Sequence, residues 1–182
     1  MSRSKILFSL TGSIACYKAC QIISRVVQEG CEVKAVCTPA ALQFIGMSTL
    51  EGLTRQPVYV DMFERKTALD HVELARWADL SIICPASANT INKLAVGIAD
   101  NAVTTLFLAY DLAKPCLIAP AMNKVMWAHP ATRKALATLR SWKVEVLDVD
   151  TGRQACGDIG EGRLLDPEKI SGAIRRALKR RS

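Results

Sequence analysis

Apolar residues follow two rhythms along this chain, and each predicts a different element. Nearly continuous runs, Ile6-Leu7-Phe8 within 5–10, Leu80-Ser81-Ile82-Ile83-Cys84 and Cys116-Leu117-Ile118-Ala119, stop at turn-forming residues, as strands buried on both faces do. Between them apolar positions recur every three or four residues. Ala15, Ala19, Ile22, Ile23 and Val26 predict a helix over 14–29, and Gly30 suits the left-handed residue that ends it. Further strands are predicted over 31–37 and 143–147. Helical sequence fills 93–110, follows Pro130, and closes the chain from an Asp166-Pro167 start to about Lys179. Thr38-Pro39 has the form of a cap followed by proline, and predicts another helix after the second strand. The least regular stretch, 46–66, reads as a helix start, a short strand over 57–60 and a loop.

Strands alternating with helices specify a mainly parallel sheet covered on both sides. The expected fold is therefore α/β, a flavodoxin- or Rossmann-like three-layer sandwich. With 182 residues, 50% of them apolar, and no repeat or low-complexity linker, the chain reads as one domain, 1–182, with one substantial core. A formal charge of +7 raises nucleic-acid binding as a possibility. Much of that excess lies in the tail from Arg175 to Arg181 and in Arg133, Lys134, Arg140 and Lys143, and neither zinc-finger spacing nor an RNA-binding aromatic signature accompanies it. The expectation is no nucleic-acid partner, and no membrane either, since no apolar stretch approaches a bilayer span. Seven cysteines, an odd count placed mostly within apolar elements, fit small hydrophobes in a reducing cytoplasm better than a disulfide framework. Cys16 and Cys20 are one helical turn apart but lack the histidine or second cysteine pair of a metal site, so no metal is expected.

In an open parallel sheet, ligands bind beyond the carboxyl ends of the strands, where helix N-termini present unpaired N–H groups. Four segments occupy such positions: Thr11-Gly12-Ser13, Thr38, Pro85 to Thr90, and Pro120-Ala121-Met122-Asn123. The first has one glycine where the dinucleotide fingerprint needs three, and points to a single phosphate held by Ser13 and nearby amides; a plain turn with Ser13 as cap also fits. Ser87, Asn89, Thr90 and Asn92 follow a buried strand closely, and capping absorbs one or two of them, leaving a surplus that suits a polar ligand. Asp70-His71-Val72-Glu73 has the layout of a capping box, with Leu69 and Leu74 as its staple. That puts His71 in a first helical turn, as a base or as part of the cap. His129, before Pro130, reads as a helix-start residue. Cys156 differs from the other cysteines in sitting among polar residues near Gly157, Gly160 and Gly162. The segment predicts a loop that closes over a ligand, with a thiol available for proton transfer or attack; a loop that merely tolerates a cysteine is the alternative.

Together, Pro85-Ala86-Ser87-Ala88-Asn89-Thr90, the run Pro-Ala-Met-Asn-Lys-Val-Met-Trp over 120–127 and Ala155-Cys156-Gly157 resemble the flavin-containing cysteine decarboxylase family, and the similarity extends from Gly12 to Pro167. The resemblance implies one FMN-binding decarboxylase domain, with the cofactor held by Gly12, Ser13, Thr38, Ser87 and Asn89 and approached by Met122. It implies that His71 handles a proton, Asn123 binds the substrate carboxylate and Cys156 completes turnover. The implied substrate is 4'-phosphopantothenoylcysteine, decarboxylated to 4'-phosphopantetheine in coenzyme A biosynthesis by oxidation, loss of carbon dioxide and re-reduction. Peptidyl-cysteine decarboxylase, flavin prenyltransferase and a catalytically silent regulatory flavoprotein are the alternatives. The Cys156 loop resembles the subgroup that reduces its enethiol intermediate. The family assembles as homotrimers, or as homododecamers built from them, with FMN near subunit boundaries.

Overall fold

In a computed structural model that describes residues 3–61, 70–155 and 157–180, the apolar runs form a five-stranded parallel sheet. Its strands are β1 (Lys5–Leu10), β2 (Glu32–Cys37), β3 (Leu80–Ala86), β4 (Cys116–Pro120) and β5 (Glu145–Val146), in the order β2-β1-β3-β4-β5. The helices are α1 (Cys16–Gln28), α2 (Met47–Thr54), α3 (Asp70–Trp77), α4 (Ala88–Val96), α5 (Ala102–Ala109), α6 (Lys124–Ala128), α7 (Pro130–Ser141) and α8 (Pro167–Lys179). The order reverses between β1 and β3, which opens a crevice at their carboxyl ends. The expected α/β sandwich is present.

Alternation along the strands divides the core into two layers. Ile6, Phe8 and Leu10 face one side with Val33, Ala35, Leu80, Ile82 and Leu117, and are covered by α1 and α8. Leu7, Val36, Ile83 and Ile118 face the other, under α3, α4, α5 and α7. The stripe Cys16, Ala19, Ile22, Ile23 and Val26 of α1 is buried as its spacing predicts, and ion pairs Arg25–Glu168 and Arg175–Glu29 tie α1 to α8 at the surface. Asp166 caps α8 by accepting from the Glu168 N–H at 2.8 Å, and His129 Nδ1 accepts from the Ala131 N–H at 3.2 Å at the start of α7.

Four sequence readings need correction. The helical stretch 93–110 is two helices, because Gly97 takes φ 73° and ends α4 while Asn101 and Thr104 form a capping box that starts α5 afresh. Thr38-Pro39 starts no α-helix: the Thr38 hydroxyl accepts from the Ala41 N–H at 3.3 Å, and only a single 3₁₀ turn, Ala41–Gln43, follows. The strand over 57–60 contracts to one parallel bridge between Val36 and Tyr59. Most consequentially, the glycine-rich segment near the end is not an open loop. It forms an antiparallel hairpin, β6 (Val149–Arg153) and β7 (Ile159–Leu164).

Burial raises the thiol of Cys16 from an ordinary 9.0 to about 11, and those of Cys37 and Cys116 to about 12; Cys84 is pushed upward as well. These are neutral packing groups, as their apolar settings predict. Because the folded state holds their pKa values above those of the unfolded chain, the stability they contribute is complete at pH 9.0 and below, and is lost as pH rises through about 11 to 12. Melting temperature, followed by circular dichroism, is expected to fall over that alkaline interval. A flat profile there would contradict the assignment.

Candidate active site

The end of β1 is fastened to the end of β3 by one side chain. Thr11 is fully buried; its hydroxyl donates to the Pro85 carbonyl at 2.7 Å and accepts from the Ser87 N–H at 2.8 Å. This fixes the spacing of the two loops that flank the crevice, a tie whose one sign in the chain is a threonine at a strand end. Thr11→Val keeps the shape but leaves the Ser87 N–H and the Pro85 carbonyl without this partner. A loss of about 2 kcal/mol is expected in urea unfolding, and an unchanged midpoint would show the tie to be dispensable.

Beyond Thr11, the N–H groups of Gly12, Ser13 and Ile14 find no acceptor among the described residues, while the Ser13 hydroxyl accepts from the Ala15 N–H at 3.2 Å. Three free amides ahead of α1 suit a phosphate. Gly12 is required for packing: a Cβ there would lie 2.8 Å from that of Ala40, so the 3₁₀ segment crosses directly over the turn. Thr38 is buried beneath this crossing, its hydroxyl engaged by Ala41.

The polar group after β3 divides differently from the sequence expectation. Ser87 caps α4 by accepting from the Thr90 N–H at 3.4 Å and donates its hydroxyl to Thr90 Oγ1 at 3.2 Å. Asn92 donates to the Ala88 carbonyl at 2.8 Å and to Thr132 Oγ1 at 3.4 Å, joining α4 to α7. Three of the four residues thus also serve the fold, and Asn89, exposed in the first turn of α4, has no such side-chain bond among the described residues.

Asn123 caps α6: its Oδ1 accepts from the Met126 N–H at 2.8 Å. The carboxamide oxygen being so used, the exposed side chain offers its NH₂ donors outward. Asn123 lies with Ser13 and Met122 in a cleft of about 610 Å³ between the N-terminal turn of α1 and the hairpin, whose remaining wall includes Tyr17, Lys18, Arg153, Gln154, Gly162 and Arg163. Among the described residues, no acidic one lines it. The Met122 N–H donates to the Gly162 carbonyl at 2.8 Å, and Gly162, at φ 117°, leaves no room for a Cβ, which would stand 2.5 Å from the Met122 carbonyl oxygen. Gln154 reinforces the seam, accepting from the Lys124 N–H at 3.1 Å and donating to the Glu161 carbonyl at 2.9 Å. The Trp127 indole donates to Glu161 at 3.2 Å and is buried, in keeping with a packing role.

His71 does sit in the first turn of α3, half-buried, but is not among the residues lining this cleft. Its helix is held from the far end. Lys114 Nζ donates to the carbonyls of Ala75, Arg76 and Ala78 at 3.3, 2.9 and 2.9 Å, a side-chain cap on the C-terminus of α3. The capping box and staple expected around Asp70 involve Leu69, and the thiol expected to complete turnover is that of Cys156; both residues lie outside the described residues.

The profile of the Flavoprotein family matches residues 1–179. The chain is 41% identical over 172 residues to the coenzyme A biosynthesis bifunctional protein CoaBC of Bacillus subtilis (strain 168), covering 93% of this chain but 42% of that protein. Thus it spans less than half the length of the bacterial bifunctional relatives it matches. A phosphopantothenoylcysteine decarboxylase of Oryza sativa subsp. japonica is 37% identical over 185 residues, covering 98% of this chain and 83% of that one. Among solved structures, a cysteine-to-serine mutant of PPC decarboxylase complexed with pantothenoylaminoethenethiol superposes with a TM-score of 0.86 at 32% identity, covering 96% of this chain and 98% of that one. The FMN binding protein AtHal3 superposes with a TM-score of 0.84 at 34% identity, covering 96% of each chain. Matched along nearly its whole length and in fold, the chain belongs to the Flavoprotein family.

Proposed function

We propose that this chain is a single FMN-binding domain, 1–182, that decarboxylates 4'-phosphopantothenoylcysteine to 4'-phosphopantetheine. The observation that carries the reading is the single cleft in which Asn123, with its NH₂ free, faces the β1 turn with three unengaged N–H groups, in a chain so similar to decarboxylases of this substrate. The residues suit FMN: amides of Gly12, Ser13 and Ile14 for a phosphate, and Asn89 and Met122 beside the crevice, while Thr38 and Ser87 shape its floor through their own backbone contacts. When bound, FMN supplies the two-electron acceptor that a side chain cannot, and returns the electrons at the end of the cycle.

The protein's own part is placement and proton handling. The Asn123 amide orients the substrate carboxylate without the grip an arginine would exert, which matters because loss of carbon dioxide removes that charge. His71 and Cys156 are assigned the proton near the oxidised carbon and the proton that completes reduction of the enethiol. Since His71 is absent from the cleft of its own chain, the reading requires a neighbouring copy to bring its helix there, in a homotrimer or a homododecamer built from trimers. Exposed Ile14, at 58%, and Tyr17, at 55%, beside the cleft supply apolar surface for such a contact. The buried neutral thiols suit a reducing, cytoplasmic setting, and among the described residues no helix is long and apolar enough to cross a membrane.

Anaerobic incubation of the FMN-loaded protein with 4'-phosphopantothenoylcysteine tests the reading, with flavin absorbance and product mass followed together. The expected product has lost one carbon dioxide and shows no net oxidation. An oxidised enethiol as sole product would place the chain with peptide-type decarboxylases, and no product would remove the assignment.

A further inference from the structure

Three cations, Lys18 on α1, Arg153 at the end of β6 and Arg163 on β7, line the Asn123 cleft, and among the described residues none of them pairs with a carboxylate. Cations gathered along one wall of a cleft whose lining, among the described residues, includes no carboxylate attract an anion into it. Arg163 is the most definitely placed. Its guanidinium lies across Gly152, where a Cβ would come within 2.2 Å of Nη1, so the neighbouring strand lacks a side chain where the arginine passes.

The position of that guanidinium relative to Asn123 follows from the strand order. Met122 is hydrogen-bonded to Gly162 on one edge of β7, and Gly152 belongs to β6 on its other edge. Asn123 and the Arg163 guanidinium are therefore separated by about two strand spacings, roughly 10 Å. A ligand that satisfies both has two anionic groups joined by a spacer, and the substrate assigned above is such a molecule: a carboxylate at its cysteinyl end and a phosphomonoester at the other.

We propose that Arg163, held across Gly152 and assisted by Arg153 and Lys18, receives the terminal phosphate of the substrate and thereby selects the phosphorylated compound over unphosphorylated or peptidyl cysteine. This rests on the decarboxylase reading and deepens it. The FMN phosphate carries the same chemistry, but the β1 turn already offers three free N–H groups to it. Arg163 faces the cleft from the opposite wall, on the hairpin.

The test measures binding apart from turnover. By calorimetry, the FMN-loaded wild type is expected to bind 4'-phosphopantetheine far more tightly than pantetheine. Arg163→Ala should erase about 10- to 100-fold of that preference while leaving pantetheine affinity and FMN content unchanged. Gly152→Ala, which displaces the guanidinium without removing it, should do the same in part. In turnover, the loss should appear in KM for the phosphorylated substrate. Equal weakening of both ligands, or a wild type indifferent to the phosphate, overturns the proposal; loss of FMN from Arg163→Ala overturns it by assigning the arginine to the cofactor. A wild type that prefers 4'-phosphopantetheine yet forms no product would sink the assigned reaction while still supporting this phosphate site.

Discussion

Asn123→Asp is expected to fold normally, retain FMN and lose turnover by about 100- to 1000-fold or more. The two duties of this residue make the substitution informative. Its Oδ1 caps α6 through the Met126 N–H at 2.8 Å, and an aspartate oxygen accepts that bond as well or better. What changes is the other end of the carboxamide: two donors become an anionic oxygen, and attraction for the carboxylate that Asn123 is proposed to bind turns into repulsion. Asn123→Ala removes cap and donors together, so it should cost about 1 kcal/mol of stability in addition. Flavin absorbance of the purified variants, denaturant midpoints and product formation separate the two effects. If Asn123→Asp turns over at the wild-type rate, the carboxylate is held elsewhere.

Gly162→Ala should disable the site by a different route. The residue sits at φ 117°, where an L side chain is strained, and the added methyl would meet the Met122 carbonyl at 2.5 Å. Backbone cannot yield as a flexible side chain does, so β7 must move off the β4 end and give up the Met122–Gly162 hydrogen bond. A loss of about 2 kcal/mol, visible as a fall in melting temperature of about 4 °C or more, should accompany a large loss of activity, because the moved strand carries one wall of the Asn123 cleft. By contrast, Gly157→Ala, where no atom lies within 4 Å of the added Cβ, carries only the conformational penalty of φ 91°. Equal effects at the two positions would show that contact with Met122 is unimportant.

Much of the framework was legible because strand and helix periods are local. The runs at 5–10, 80–84 and 116–119 and the stripe on α1 fall where expected. The hairpin was missed because Gly152, Gly160 and Gly162 weaken any strand pattern, and their reason for being glycine lies in remote partners: Arg163, Lys124 and the Met122 carbonyl. Counting polar residues after β3 does not reveal which of them also serve the fold: Thr90 bonds Ser87, and Asn92 bonds Thr132 forty positions away, a contact invisible in a single chain of letters. The tie that Thr11 makes to the end of β3 is invisible for the same reason, its partners lying 74 and 76 residues on. That Asn123 and Met122 share a cleft is legible because their motif is contiguous; that Arg163 lines the same cleft is not, because only the folded hairpin brings it there.

The ammonium of Lys114 grips three carbonyls at the end of α3 farthest from His71 and approaches the Tyr110 ring, 5.7 Å from its centroid, while the Lys5 N–H donates to Asp79 at 2.9 Å just beyond. The helix that carries His71 is thus fastened at its far end to the sheet side of the molecule, and no hydrogen bond among the described residues joins it to the hairpin. If His71 handles the proton and the hairpin selects the substrate, as proposed, variation in β6 and β7 can retune which molecules are admitted without disturbing α3, and a change of clientele and a change of chemistry are separately evolvable in this architecture.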